Sequence, residues 1–164
     1  MSNKAVSPLL QDKGVLVTGA AGAIGYGVCQ VLLEHGCRLT ASDLAGAKLD
    51  EFVREMEATA PGCVHSLAMD VTDKASVAAG FQAVLKQWGR LDIVVHNAGI
   101  ALVSKLVDMD LEAFRRLERV NVEGTLLVLA EAGRVLAQRG KGGDIVIMST
   151  KNVPSPSAGF GAYS

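Results

Sequence analysis

The sequence predicts an α/β fold in which helices cover both faces of a doubly wound parallel β-sheet. Short apolar runs of strand length alternate with segments whose apolar residues recur at helical spacing, and this alternation is typical of repeated βαβ units. Several runs are apolar on consecutive residues, as in GVLVT at Gly14–Thr18, which indicates strands buried from both sides. With 49% apolar and 20% charged residues, the 164-residue chain is expected to form one globular domain preceded by a polar segment at residues 1–12.

Five strands and four helices are expected, in alternation. The predicted strands are Gly14–Thr18, Arg38–Asp43, Cys63–Asp70, Leu91–Asn97 and Asp144–Ser149. The predicted helices are Ile24–His35, Lys48–Thr59, Lys74–Trp88 and Leu111–Gln138. Asp73 is a candidate N-cap, and glycine marks the ends of three helices, at Gly36, Gly89 and Gly140, because glycine adopts a left-handed backbone at little cost.

Composition argues against several classes of function. The net charge of −1 and the scattered Lys and Arg residues do not form the basic stripe of a nucleic-acid-binding protein. No apolar run approaches the roughly 18 residues of a membrane span, and no signal-peptide pattern opens the chain, so we expect a cytoplasmic protein that does not enter membranes. Three cysteines without metal-ligand spacing are expected to be buried apolar residues, with no metal site.

The turn after the first strand is rich in glycine and is expected to bind a phosphate group. It reads Thr18-Gly19-Ala20-Ala21-Gly22-Ala23-Ile24-Gly25 and leads directly into a helix. Small residues allow backbone N–H groups and the helix N-terminus to approach a pyrophosphate, which the helix dipole favours. A tight strand-to-helix turn without a ligand is the alternative, since the spacing is not that of the common G-x-G-x-x-G motif.

The turn resembles the phosphate loop of the short-chain dehydrogenase/reductase family, T-G-x-x-x-[G/A]-x-G. Four residues fill its fixed places, Thr18, Gly19, Ala23 and Gly25, and Gly22 is an additional glycine. Further motifs of the family follow in the same order, so the resemblance extends from about Gly14 to Ser164. It implies a Rossmann-type sheet and a dinucleotide cofactor held at Gly19, Gly22, Ala23, Ile24 and Gly25.

The end of the second strand selects the cofactor. Asp43 lies 24 residues after Gly19, where a carboxylate can accept both adenosine ribose hydroxyls but would repel a 2′-phosphate. NAD is therefore expected rather than NADP, and Leu44 is assigned to the same cofactor site. A solvated strand-end Asp, or a cap on the next helix, is the alternative for Asp43.

Two further strand ends resemble cofactor-binding motifs of the family. Asp70 and Val71 resemble the pair that holds the adenine ring, although an Asx-turn at Asp70 is an alternative. Asn97, Ala98 and Gly99 resemble the N-N-A-G motif that approaches the cofactor ribose, with His96 at the place of the first Asn. A strand-end histidine is more often a hydrogen-bonded structural residue than a catalytic one, so we assign no catalytic role to His96.

The resemblance also implies a catalytic set. Tyr163 corresponds to the proton-transferring tyrosine of a Y-x-x-x-K motif, and Thr150, 13 residues earlier, corresponds to the hydroxyl residue that polarises the substrate carbonyl. Ser149 is the second choice for that role. Asn121 corresponds to the helix-kinking Asn that holds a proton-relay water, although an exposed helical Asn is an alternative.

The expected activity is NAD-dependent interconversion of a secondary alcohol and a ketone. A Thr-Lys-Asn run at residues 150–152 resembles a Ser-Lys-Asn run of the family's sugar and sugar-alcohol members, which implies a sugar or polyol substrate, with steroid, acyl-carrier and other secondary alcohols as alternatives. The lysine of the tyrosine motif would fall beyond Ser164, together with the last strands of the family's sheet, so we expect the chain to be a fragment that is incomplete for catalysis. A non-catalytic nucleotide-binding sensor or interaction module is the alternative. The family's long helices imply a homodimer or homotetramer when the chain is full length, although core packing explains the apolar residues of Leu111–Gln138 equally well.

Overall fold

The computed structural model describes residues 9–164, so the first eight positions of the predicted polar segment at residues 1–12 lie outside the described residues. The strands are β1 (Gly14–Thr18), β2 (Arg38–Asp43), β3 (Val64–Ala68), β4 (Ile93–His96) and β5 (Asp144–Ile147). The helices are α1 (Ala23–Glu34), α2 (Ala47–Thr59), α3 (Lys74–Trp88), α4 (Leu111–Glu118) and α5 (Gly124–Gln138). A short 3₁₀ helix at Leu106–Asp108 precedes α4, and a π-helical turn at Arg119–Glu123 joins α4 to α5.

The five strands form one parallel sheet in the order β3-β2-β1-β4-β5. From β1 the chain first builds outward through β2 to β3, and it then returns to place β4 on the other side of β1. This reversal opens a crevice at the carboxyl ends of β1 and β4, which is where open α/β sheets bind ligands. The doubly wound α/β fold predicted from the alternating pattern is confirmed.

Two apolar clusters cover the two faces of the sheet. Phe81 and Val84 of α3 pack with Leu16, Val94 and residues of α5 on one face. The other cluster is made by α1, α2 and the opposite faces of the central strands, with the buried members Val15, Val17, Cys29, Leu39, Phe52 and Met56. The side chains of β1 thus alternate between the two clusters, which explains why its whole run is apolar.

The expectation that consecutive apolar residues mark strands buried from both sides holds for β1 but not for β5. Ile145, Val146 and Ile147 are 39%, 45% and 48% exposed, although their sequence is as apolar as that of β1. Among the described residues β5 pairs only with β4, so it is an edge strand. An apolar run therefore identifies this strand but does not reveal its burial.

Element boundaries follow the predicted ones with local differences. The third, fourth and fifth strands are shorter than predicted because the residues at their ends, among them Asp70 and Asn97, turn into loops. The long predicted helix Leu111–Gln138 is interrupted by the π-helical turn. Asp73 caps α3 by accepting from the backbone N–H of Ala75 at 3.0 Å, and Gly89 ends that helix in a left-handed conformation, as predicted.

The cysteines are free thiols, and two of the three are buried as expected. Burial raises the pKa of Cys29 to about 12 and, with a smaller contribution from the charge of Asp92, that of Cys37 to about 11. Cys63 is only half-buried, which corrects the expectation for that residue. Within residues 9–164 no cluster of His, Cys, Asp and Glu could hold a metal ion.

Candidate functional site

A cavity of about 480 Å³ lies at the carboxyl ends of the strands, at the crevice between β1 and β4. Its walls are the glycine turn, the ends of β2 and β3, and the loop that follows β4. The predicted cofactor residues that line it are Gly19, Gly22, Ala23, Ile24, Asp43, Leu44, Asp70, Val71, Asn97, Ala98 and Gly99. Residues far apart in the sequence thus share one cavity.

The glycine turn is closed so tightly that two of its glycines cannot carry a side chain. A Cβ on Gly25, which is buried in α1, would lie 2.2 Å from the carbonyl oxygen of Gly19. A Cβ on Gly19 would lie 2.8 Å from Cα of Ala98, and its φ of +64° is one that glycine adopts readily. Gly25 lies behind the cavity rather than on its wall, where it lets α1 approach the turn.

The N-terminus of α1 faces this cavity without a side-chain cap. Gly22 occupies the N-cap position and offers no side-chain acceptor, and the first turn of the helix contains no acidic residue. The first backbone N–H groups of a helix lack intrahelical partners and carry the positive end of the helix dipole. These groups are available to an anion such as a pyrophosphate.

Asp43 directs its carboxylate into the same cavity. One oxygen, Oδ2, accepts from the N–H of Ala21 in the glycine turn at 3.0 Å, and Oδ1 accepts from the N–H of Leu44 at 2.8 Å. The N-cap position of α2 belongs to Gly46, so Asp43 does not cap that helix. Asp43 therefore links the end of β2 to the glycine turn while lining the cavity.

At the end of β3, the alternative proposed for Asp70 is present. Its Oδ1 accepts from both the N–H and the hydroxyl of Thr72 at 2.8 Å, which forms an Asx-turn. The residues that the structure describes give Oδ2 no hydrogen-bond partner, so this oxygen remains available at the cavity. Val71 is buried. It packs against Gly124, on which an added Cβ would lie 3.0 Å from Cγ2 of Val71.

Asn97 joins the loop after β4 to the glycine turn. Its Nδ2 donates to the carbonyl oxygens of Thr18 at 3.2 Å and Gly19 at 2.9 Å. The N–H groups of Asn97 and Ala98 both donate to the hydroxyl oxygen of Thr18 at 3.1 Å. The buried Thr18 thus fixes two loops that border the cavity.

A second cavity of about 440 Å³ adjoins the first and brings the predicted catalytic residues together. It is lined by Asn121, Ser149, Thr150 and Tyr163, and it shares Ile24 and the segment Asn97–Ile100 with the first cavity. Tyr163 is half-buried. Its ring lies edge-on to that of Phe160, with the two ring centroids 6.0 Å apart. A substrate in this cavity would lie beside whatever occupies the first.

The two candidate hydroxyl residues remain side by side. Thr150 is half-buried and its hydroxyl oxygen accepts from the N–H of Asn152 at 3.2 Å, whereas Ser149 is exposed. Both line the second cavity. The hydrogen bond to the following loop holds Thr150 in place, and no corresponding bond is found for Ser149 in the described part of the chain.

Asn121 lies in the π-helical turn and faces inward rather than toward solvent. Its side-chain amide accepts from the N–H of Ile100 at 2.9 Å and donates to the carbonyl oxygen of Ile100 at 2.8 Å. π-helical turns inside α-helices occur frequently at functional sites. The exposed-Asn alternative is therefore wrong, and the local break in the long helix lies at this residue.

Among the residues of the first cavity that sequence reasoning missed are Ser42, Lys48 and Arg116. Ser42 precedes Asp43 at the end of β2, and its hydroxyl is buried and has no hydrogen-bond partner among the described residues. Its position at a strand end could have drawn attention to it. Lys48 and Arg116 lie on exposed helix surfaces, and nothing in their local sequence distinguishes them from other surface cations.

These features fit a dinucleotide. The turn that excludes side chains, the uncapped helix N-terminus, the Asp43 carboxylate and the unpartnered Ser42 hydroxyl supply the small surface, the donors and the acceptors that such a ligand requires. The fit rests on the shape and hydrogen-bonding groups of the cavity.

Comparison with known proteins agrees with this arrangement. A profile of the family described as short chain dehydrogenase matches residues 13–164. Sorbitol dehydrogenase of Cereibacter sphaeroides is 30% identical over 94% of this chain and 59% of that protein. D-threitol dehydrogenase of Mycolicibacterium smegmatis is 32% identical over 87% of this chain and 54% of that protein. The chain thus spans little more than half the length of these relatives.

Solved structures of dehydrogenases are also similar to this chain. A short-chain type dehydrogenase/reductase from Mycobacterium ulcerans superposes with a TM-score of 0.88 at 35% identity, covering 93% of this chain and 56% of that one. An NAD⁺-bound xylitol dehydrogenase superposes with a TM-score of 0.88 at 25% identity, covering 94% of this chain and 59% of that one. These proteins therefore share the fold of this chain over nearly its whole length.

Proposed function

The chain belongs to the short-chain dehydrogenase family, and on that premise we propose that it acts as an NAD-dependent oxidoreductase that interconverts a secondary alcohol and a ketone. The observation that carries the proposal is the meeting of two cavities at one loop. Asn97–Ile100 borders both the cavity that contains Asp43 and the cavity that contains Tyr163. A cofactor and an alcohol bound there would be neighbours.

NAD is the proposed cofactor because of the charge at the end of β2. The Asp43 carboxylate would accept hydrogen bonds from ribose hydroxyls and would repel a 2′-phosphate. Lys48 and Arg116 also line this cavity, and their positive charges would favour the phosphates of either cofactor. When bound, the nicotinamide group supplies the acceptor or donor for hydride.

We assign the remaining cofactor contacts by position. Gly19, Gly22, Ala23, Ile24 and Gly25 would form or support the turn that holds the pyrophosphate. Asp70 and Val71 would hold the adenine, and Leu44 would contact the adenosine ribose. Asn97, Ala98 and Gly99, where the two cavities meet, would hold the nicotinamide end.

Proton transfer is assigned to Tyr163. In alcohol oxidation its Oη, as the phenolate, would take the hydroxyl proton of the substrate and become the phenol, and in ketone reduction the phenol would give that proton to the carbonyl oxygen. The Thr150 hydroxyl would hold the same substrate oxygen, since its own position is fixed by the N–H of Asn152, and Ser149 is the second candidate. Asn121 would hold the inner wall of the cavity and support the relay of protons to solvent.

The proposed substrate is a sugar or polyol. The sorbitol and threitol dehydrogenases among the relatives support this class, as does the xylitol dehydrogenase structure. The hydroxyl groups of Ser149 and Thr150 line the second cavity and would pair with hydroxyl groups of such a substrate. A largely apolar alcohol would leave such groups unpaired.

We also propose a single domain over residues 1–164, a cytoplasmic location and assembly as a homodimer or homotetramer. Free thiols at all three cysteines fit a reducing compartment. Exposed apolar side chains at Leu111, Val122 and Leu126, on or between α4 and α5, would suit a contact between subunits. Small-molecule alcohols and ketones, rather than nucleic acids or membranes, are the proposed partners.

Calorimetric titration of the chain with NAD⁺ and with NADP⁺ tests the cofactor assignment. NAD⁺ is expected to bind more tightly, and its addition should move the backbone amide NMR signals of Gly19, Ala21 and Gly22. Equal affinities, or signal changes confined to other parts of the chain, would contradict the proposed cofactor and its site.

A further inference from the structure

We propose that His96 is a positioning residue which, held neutral with its proton on Nε2, connects the glycine turn to the main-chain carbonyl of Asn121 through a one-way chain of hydrogen bonds. The inference goes beyond the assigned catalytic set, and its functional meaning rests on the proposed dehydrogenase function. It is carried by the donors and acceptors around one buried imidazole ring.

The series of hydrogen bonds begins at Thr18. The hydroxyl oxygen of Thr18 accepts from the N–H groups of Asn97 and Ala98 at 3.1 Å, and it lies 3.0 Å from Nδ1 of His96. A hydroxyl group has two acceptor lone pairs and one proton to donate. Because both lone pairs are taken by backbone N–H groups, the Thr18 proton must go to Nδ1, which is therefore unprotonated.

The second end, at Thr125 in α5, leads independently to the same tautomer. The Thr125 hydroxyl donates to the carbonyl oxygen of Asn121 at 2.7 Å, so its proton is already committed. Nε2 of His96 lies 2.9 Å from the Thr125 oxygen. The only arrangement that makes this a hydrogen bond has the ring proton on Nε2 and Thr125 as acceptor.

The chain of bonds therefore has one direction, from Thr18 through His96 and Thr125 to the Asn121 carbonyl. The Thr18 end fixes Asn97 and Ala98, which line both cavities. The Asn121 end lies in the π-helical turn that borders the second cavity. His96 thus couples the geometry of the cofactor turn to the group proposed to support the proton relay.

The surroundings of His96 favour the neutral ring. Its side chain is buried, and burial lowers the pKa of His96. β1 presents Thr18, β5 presents the register partner Ile147, and α5 presents Thr125, none of which is charged. The titratable side chain that lines the same cavity is Tyr163, while Asp92 and Asp144 lie toward the opposite ends of β4 and β5.

Protonation of His96 would disrupt the hydrogen bond between the Thr18 hydroxyl and Nδ1 of His96. A proton on Nδ1 would face the Thr18 hydroxyl proton, and Thr18 would have to release one of the two backbone N–H groups that it holds. The loop Asn97–Ala98 would then lose a contact to the glycine turn. A neutral histidine avoids this conflict, whereas a charged one creates it.

NMR spectroscopy of the chain tests the tautomer directly, without cofactor or substrate. The ¹⁵N shifts of the His96 ring are expected to identify the neutral Nε2–H form at neutral pH, with its titration displaced below the ordinary histidine pKa of 6.5. A neutral ring with its proton on Nδ1, or a ring that titrates at or above 6.5, would overturn the proposal. This result does not depend on whether the protein oxidises alcohols.

Coupling is tested by Thr125→Val, which replaces the hydroxyl with a methyl group of similar size. We expect it to shift the His96 Nε2 signal and, beyond the ring, the amide signals of Asn97 and Ala98, whereas Thr125→Ser restores the wild-type spectrum. Thr59→Val is the matched control, because the Thr59 hydroxyl also donates to the carbonyl four residues earlier, at 3.2 Å, on exposed α2. Changes that stop at Nε2 would contradict coupling.

The catalytic consequence is tested on the whole gene product with a substrate that it oxidises. Thr125→Val should lower kcat about three- to tenfold, the equivalent of one hydrogen bond, with the KM for NAD unchanged. Thr59→Val should lower neither. Equal kcat values in the two variants would refute the positioning role even if the tautomer is as assigned, and absence of turnover in the wild type would instead refute the proposed function.

Discussion

The side-chain amide of Asn121 forms two reciprocal hydrogen bonds with the backbone of Ile100: Oδ1 accepts from its N–H at 2.9 Å, and Nδ2 donates to its carbonyl oxygen at 2.8 Å. Facing residues of two β-strands exchange hydrogen bonds in the same reciprocal way, but here the two bonds join a π-helical turn to the loop after β4. Both residues line the second cavity. The bond pair therefore determines the shape of the inner wall of the site.

Replacing Asn121 with Ala is expected to destabilise the chain by about 1–3 kcal/mol, because both backbone groups of Ile100 lose their partner. Urea denaturation measures the change in the free energy of unfolding. Gln82→Ala is the control, since Gln82 is an exposed amide on α3. If the two variants unfold at the same urea concentration, the Asn121 pairing does not stabilise the wall of the cavity.

A second prediction compares two glycines of α1. Gly25→Ala should cost about 1–3 kcal/mol, because its Cβ would lie 2.2 Å from the Gly19 carbonyl oxygen and would force the turn apart. Gly27→Ala meets no atom within 4 Å and should stabilise the chain by about 0.5–1 kcal/mol through higher helix propensity. Denaturation and NAD⁺ titration together check both.

Gly25→Ala is also expected to lower the affinity for NAD⁺, because forcing the turn apart would displace Gly19 on the wall of the first cavity. If this variant retains wild-type affinity, the close approach of α1 to the turn is not required for nucleotide binding. Gly27→Ala should bind NAD⁺ as the wild type does.

Asp43→Ala is expected to weaken NAD⁺ binding by about tenfold or more, because the ribose hydroxyls lose a charged acceptor. NADP⁺ binding should fall less or rise, since the same substitution removes repulsion of the 2′-phosphate. Asp50→Ala, in the exposed first turn of α2, is the control for the loss of one negative charge. Equal losses for the two cofactors would argue against the ribose role of Asp43.

Asp92 is expected to make stability depend on pH at the other end of the sheet. Burial would raise its pKa, but hydrogen bonds from Arg90 and the Gly14 N–H and the charges of Arg90 and Arg139 more than offset this and lower it to about 2. Because the ordinary value is 3.8, the ionised form stabilises the folded state above about pH 4, and this contribution disappears as the pH falls through about 2.

The pH experiment compares the wild type with Asp92→Asn. The wild type should lose about 2 kcal/mol more unfolding free energy than the variant between about pH 5 and 2. Parallel stability curves for the two proteins would show that Asp92 is not held ionised by its partners.

The alternation of strands and helices, and the glycine turn with Asp43 at the end of the next strand, could be predicted because they depend on local signals. Consecutive apolar residues in β1, the glycines after it and Asp43 at the end of β2 each carry their meaning within a few residues. Asn121 could also be identified, since an Asn inside a helix needs a tertiary partner.

Other features depend on contacts that no local pattern encodes. The exposure of β5 follows from its place at the sheet edge, not from its composition, which matches that of buried strands. The role of Thr125 requires that α5 pass over His96, some 29 residues earlier in the chain. Asp70 shows the reverse case, because the local Asx-turn that its sequence allows is formed beside the cavity.

NAD-dependent polyol oxidation is tested most directly by the formation of NADH when the whole gene product is mixed with NAD⁺ and a series of polyols, in comparison with its Tyr163→Phe variant. We expect turnover in the wild type, a loss of at least about a hundredfold in the variant, as removal of a general acid–base group causes, and equal NAD⁺ affinity in both. Equal rates in the two proteins, or NADH formation from none of the alcohols, would contradict it.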